Sequence, residues 1–262
     1  MGFIFDSPSW ILSSSIIVIV SIVFWILALW YVRKKIPIDV LKKNHDVAGY
    51  TFSIVGILYS VILGYIVVSV HERYNVAIET LHTEATVVAD LYRDAAFFPD
   101  ESRDQIRSNL RKYVHYVVNE EWSLPKDKKM HIAAQQILKD LWDSYFNVQL
   151  QNDKQKIWYE ESISKLDNLL AARLEREFNS WDRLGSMMWC LLISGAVITI
   201  CFMFFFGLEN FRSQMLMMAL LAGYLAFILY LVFSLDHVFQ GPEGVQPVVL
   251  EQLSGLFDRW DM

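Results

Sequence analysis

Histidines and carboxylates are the first residues to question for chemistry, because imidazole and carboxylate side chains serve as general acids, bases and metal ligands. His82 stands two residues before Glu84, and His115 precedes Glu120 and Glu121, so each group suggests a metal pair. Solvated side chains on helix faces are the simpler reading of both, and no metal or other cofactor is expected. The other four histidines, His45, His71, His131 and His237, are scattered. There is no glycine loop suited to phosphate, no paired-cysteine metal motif and no serine elbow. The two cysteines, Cys190 and Cys201, share one apolar stretch and report nothing about redox compartment. The residue types therefore argue against an enzyme.

A different spacing stands out after residue 54. Gly56, Ser60 and Gly64 recur every fourth residue, a small-residue stripe that lets two helix backbones approach closely. One step around the same helix, Ile57, Val61 and Tyr65 recur with the same period. The first stripe suits helix packing. The second either lines a passage or meets lipid or another helix, and spacing leaves both readings standing.

The elements that position these stripes are set by hydropathy. With 54% hydrophobic and 20% charged residues in 262, the average says little, but the apolar residues are clustered. Trp10–Val32, Thr51–Val70, Ser186–Gly207 and Gln214–Leu235 contain no charged side chain. Crossing a hydrocarbon core of about 30 Å takes roughly 20 helical residues, and lipid leaves the backbone no other partner. Four transmembrane helices are predicted. No basic region precedes the first and no small-residue cleavage pattern follows it, so it reads as a retained span. The chain divides into residues 1–70 (spans one and two with a basic loop at 33–50), a soluble helical domain at 71–185, spans three and four at 186–235, and a tail at 236–262. None of the spans holds the ionisable group that a proton relay or coupling-ion site requires. The net charge of −6, with no basic face, argues against nucleic acid as a partner.

In the insert, Tyr74, Ile78, Leu81, Ala85, Val88 and Ala95 continue the second span as a helical stripe into water, until Pro99 ends it. A helix from near Asp100 buries Ile106, Leu110, Tyr113, Val114 and Val117. A third, from about His131 to Leu150, shows Ile137, Leu138, Leu141, Trp142 and Tyr145. A fourth, from near Trp158, repeats Ile163, Leu166, Leu170, Leu174, Phe178 and Trp181 and feeds into the third span with only Gly185 as a bend. The fold expected is all-α, an extramembrane helical bundle between two pairs of spans.

The stretch ILGYIVVSVHERYNVAIE at 62–79 resembles the second-span motif of the bestrophins, with Leu63-Gly64-Tyr65 and then Arg73-Tyr74 at the membrane boundary. LDHVFQG at 235–241 is similar to their Pro-Phe-Gly turn, with Asp236, Phe239 and Gly241 retained in context, Val238 in place of the proline, and Gln240 inserted before the glycine. NHDVAGYTFSIVGILYSVILGY, EATVVADLYR, YVHYVVNEEW and SLDHVFQG extend the likeness over nearly the full length, to a bacterial family described as bestrophin-like.

The resemblance implies a homopentameric ion channel of the bacterial inner membrane, with lipid around it and inorganic ions passing through. Ile57, Val61 and Tyr65 would line a hydrophobic neck, and chloride or other anions would be conducted. Calcium gating is not implied, because GPEGVQP after the turn holds only Glu243. On sidedness two signals differ. Arg33, Lys34, Lys35, Lys42 and Lys43 place the first loop in the cytoplasm and the insert outside, whereas the resemblance places the insert and both termini in the cytoplasm. The competing class is a non-conducting, membrane-anchored helical module that binds a partner or senses envelope stress.

Overall fold

The computed structural model describes residues 8–43, 45–123, 132–208, 210–239 and 244–261, and every regular element among them is helical. Nine α-helices occur among the described residues: α1 Pro8–Lys35, α2 Ile38–Lys43, α3 His45–Asp94, α4 Asp100–Asn119, α5 Ile132–Phe146, α6 Asp153–Trp181, α7 Ser186–Phe202, α8 Phe211–Asp236 and α9 Val248–Trp260. Four of them are long and apolar enough to cross a membrane, within Ile11–Lys35, Asp46–Phe97, Ser186–Phe205 and Phe211–Asp236. The chain is a membrane protein of all-α class.

The helices gather into two compact units. The first comprises Met1–Tyr74 and Arg183–Gly244. Here α1 packs along α8, and Gly223 lets them come so near that an added Cβ would lie 3.0 Å from Ile22 Cδ1. α3 meets α7 where Gly195 lies flat against the ring of Tyr59; a Cβ there would overlap the ring. The Tyr59 hydroxyl donates to the Leu192 carbonyl at 3.0 Å, which satisfies a polar tip that lipid could not hydrate. The outer surface stays apolar, with Ile16, Val20, Phe24 and Leu27 of α1 exposed, as lipid requires. At the end of α1 the cations turn back onto aromatic rings: Lys34 over Trp30 at 5.2 Å and Lys35 over Tyr31 at 4.9 Å.

The second unit comprises Asn75–Asp182 and Val245–Met262. α4 packs against α5 and α9, and all five residues expected to be its inner face, Ile106, Leu110, Tyr113, Val114 and Val117, are buried. α3 stops at Asp94, and one 3₁₀ turn, Ala95–Phe97, leads to Phe98 in extended conformation (φ −92°, ψ 163°), the region to which a following proline confines its neighbour.

Three expectations differ from the structure. α6 does not feed into α7. It ends at Trp181, Asp182 is extended (φ −72°, ψ 102°), and α7 begins at Ser186. The Leu184 amide donates to the Asp236 carboxylate at 2.7 Å rather than to a helical carbonyl, so a side chain takes the hydrogen bond that would have continued the helix. Second, the tail contains α9, whose Leu250, Leu253 and Phe257 are buried. Third, of the stripe expected to be the inner face of α6, Leu174, Phe178 and Trp181 are exposed. Its buried residues include Arg173 and Arg176, which an apolar pattern passes over.

Candidate functional site

The membrane part of α3 has two unlike sides. Tyr59, Leu63, Ile66 and Val70, at steps of four, three and four, are buried in the first unit. The opposite side carries Ile57, Val61 and Tyr65, which are 64%, 66% and 74% exposed. The three residues singled out by period thus share one outward apolar face. Beside them, apart from the backbone of α3 itself, no described atom lies within 4 Å of where a Cβ would stand on Gly56 or Gly64, and Ser60 turns its hydroxyl back to the Ile57 carbonyl at 2.8 Å. Such back-bonding satisfies a hydroxyl in an apolar surround without a partner helix.

Where α3 leaves the apolar region, residues from the two ends of the sequence likeness meet. Asp236, at the end of α8, is 5% exposed. Its carboxylate accepts from the Leu184 amide at 2.7 Å and from the Trp189 indole at 3.3 Å, and lies 3.9 Å from the Arg73 guanidinium. One carboxylate therefore ties α3, α8 and the start of α7. Tyr74, Val238 and Phe239 are buried; Gly241 lies outside the described residues. His237 turns its Nδ1 to the Phe233 carbonyl at 2.8 Å.

The second unit holds a cluster of charges in its interior. Arg176 donates through Nε to Glu84 at 2.5 Å and through Nη1 to Glu121 at 3.0 Å, while Arg173 reaches Glu121 at 2.9 Å and Glu177 at 3.0 Å. The Tyr113 hydroxyl donates to Glu84. Burial alone would push the Glu121 carboxyl upward, but Arg176 and Arg173 outweigh it and hold it below the usual carboxylate range. Burial pushes the Tyr113 phenol up, and the Glu84 charge pushes it further. The Arg176 guanidinium is raised well above its ordinary range: burial disfavours its charge, and Glu84 and Glu121 overcome that.

Glu84 and Glu121, which the sequence had suggested as partners of His82 and His115, are thus engaged by arginines. Among the described residues no group of three or more His, Cys, Asp or Glu is placed to hold a metal ion. Spacing had not marked Arg173 and Arg176. A signal existed: they fall three residues apart, in register with Leu166 and Leu169 on the inner face of α6, so cations interrupt a core stripe.

No curated protein matches the sequence. The fold is similar to that of a bacterial bestrophin homologue from Klebsiella pneumoniae, with a TM-score of 0.67 at 16% identity, over 92% of this chain and 96% of that one. A mutated form of that homologue gives 0.69 at 14% identity, over 92% and 98%. A crystal structure described only as that of a membrane protein variant gives 0.70 at 15%, over 92% and 97%. At these identities the likeness is one of fold. The sequence adds its own match: the family model for the bestrophin-like domain covers residues 19–250, from within α1 to α9. Four apolar helices, an α3 that runs on past the membrane, the Arg73–Asp236 junction and that match together place the chain in the bestrophin-like family.

Proposed function

We propose that the protein is a homo-oligomeric, pentameric ion channel of the bacterial inner membrane, through which inorganic ions pass passively. Ile57, Val61 and Tyr65 of each copy line its hydrophobic neck. The observation that carries this reading is the outward face of α3. A helix whose inner side is fixed by Tyr59, Leu63, Ile66 and Val70 presents three apolar residues in register, largely uncovered by the described residues. Gly56 and Gly64 support it: none of the described residues requires glycine there, whereas a helix from a neighbouring copy does if it is to approach closely.

A neck of this kind contains no charged filter. It conducts when wetted and closes when water leaves it, so side-chain bulk at the narrowest ring controls the resting leak. The test is flux through the purified protein in liposomes, together with its oligomeric mass. Val61→Ala should raise the resting leak by widening one ring; unchanged flux and gating would remove Val61 from the neck. A monomeric or dimeric mass would defeat the reading, because a pore lined by α3 needs several copies to enclose it.

A further inference from the structure

Within the first unit, α1, α7 and α8 do not close fully upon one another. They leave a mostly apolar cavity of about 450 Å³ between them. It begins where Trp189 of α7 meets Phe233 of α8, with ring centroids 6.2 Å apart, and runs to Ile200 and Ala222. On either helix that is a length of about 16 Å at 1.5 Å per residue. Its middle stays open because the side chains there, Ala196 and Ala226, are single methyl groups. Ile193 and Val197 on the α7 wall are exposed, so the groove opens sideways onto the apolar surface. Its length matches one leaflet, about 15 Å or half of a hydrocarbon core. Its volume spread over that length leaves a cross-section of about 30 Å², too slim for a helix about 10 Å across.

The Trp189 end carries charge. The Trp189 indole donates to Asp236 at 3.3 Å, and the same carboxylate accepts from the Leu184 amide at 2.7 Å and lies 3.9 Å from the Arg73 guanidinium. Arg183, the residue before Leu184, is thereby held at this end of the groove. It is exposed and makes no ion pair with any described residue. Asp236 already has three partners, so the Arg183 charge is left to an anion from outside the chain.

We propose that this groove is a lipid site: it holds one acyl chain of an anionic phospholipid whose phosphate lies against Arg183, one lipid per chain. A phosphate at the membrane boundary with a hydrocarbon chain running one leaflet inward is the arrangement that such a lipid presents, and basic positions beside gaps between spans suit anionic headgroups. Nothing in this site depends on what α3 lines.

The experiment is native mass spectrometry of the full-length protein in detergent, with dioleoyl-phosphatidylglycerol and dioleoyl-phosphatidylcholine added in equal amounts. The wild type should retain one phosphatidylglycerol per chain in preference to phosphatidylcholine. Ala226→Phe, which fills the groove, should lose the retained lipid at unchanged oligomeric mass. Arg183→Gln should still hold a lipid but lower the preference for phosphatidylglycerol about fivefold. Equal uptake of both lipids by the wild type, or a wild-type lipid count in Ala226→Phe, overturns the site. A loss of oligomeric mass in Ala226→Phe with the lipid retained gives the groove to a second copy and likewise overturns it. If Ala226→Phe does not fold, Arg183→Gln decides, since its position is exposed: an unchanged preference counts against the site.

Discussion

A guanidinium without water must find its hydration in carboxylates, and Arg176 finds it in two: Glu84 at 2.5 Å and Glu121 at 3.0 Å. Desolvating these ions opposes folding, and their mutual attraction roughly offsets it. The cluster therefore adds less by its presence than its disruption removes. Arg176→Leu should destabilise the second unit by about 3–5 kcal/mol, since it leaves Glu84 and Glu121 short of a partner; a thermal midpoint equal to wild type would mean that water replaces the guanidinium. Glu121 gives a pH prediction. Its folded-state pKa lies below its unfolded value, so its contribution is complete above the unfolded pKa of about 4.3 and is lost as pH falls through the lower folded value. Wild type and Glu121→Gln should differ in stability at neutral pH and converge in acid below that range. A stability gap that persists there would mean Glu121 acts by packing and not by charge.

Whether an element was legible in the sequence depended on whether its pattern was purely apolar. α4 could be read almost residue by residue because its inner positions are apolar or tyrosine except for Asn109, whose amide donates to the Asp140 carbonyl at 3.1 Å. α6 could not, because its inner face spends two positions on arginine, and the last three residues of its apolar stripe, Leu174, Phe178 and Trp181, are exposed. The break before α7 was hidden for another reason. It depends on Asp236, 52 residues from Leu184 in the sequence, and no local propensity contains that contact. α9 was passed over as a tail, although Leu250, Leu253 and Phe257 have helical spacing after Pro247. It is held by one stacked pair, Phe257 on Tyr92 at 3.9 Å and 8°, and by Asp261, which accepts from Arg107 at 2.8 Å and Arg111 at 2.7 Å. Exposed ion pairs contribute little, so the buried ring should dominate. Phe257→Ala is expected to weaken α9 docking by about 3–5 kcal/mol and to speed protease cleavage within residues 248–260. Equal cleavage would transfer the docking to the ion pairs.

At the scale of the whole molecule, two glycines raise the question of what the chain is built to meet. Gly in a helix interior is less favourable than Ala by about 0.5–1 kcal/mol, and among the described residues neither Gly56 nor Gly64 meets a neighbour that would occupy the space of a Cβ in return. Gly195 and Gly223 differ, because Tyr59 and Ile22 fill the space their missing side chains leave. Period alone had grouped Gly56, Ser60 and Gly64 as a packing stripe, but a sequence cannot say whether the partner helix belongs to the same chain. Among the described residues their positions are open, and a second copy is the partner that the proposed pentamer would supply. Gly64→Leu should therefore fold normally as a single chain, with its helix content unchanged and Tyr59 still packed on Gly195, yet lose oligomeric mass, because a leucine holds two backbones apart. Light scattering in detergent, paired with circular dichroism, reads both quantities. A Gly64→Leu protein that keeps the wild-type mass would place this stripe against lipid, and the packing of the neck would then have to come from another face of α3.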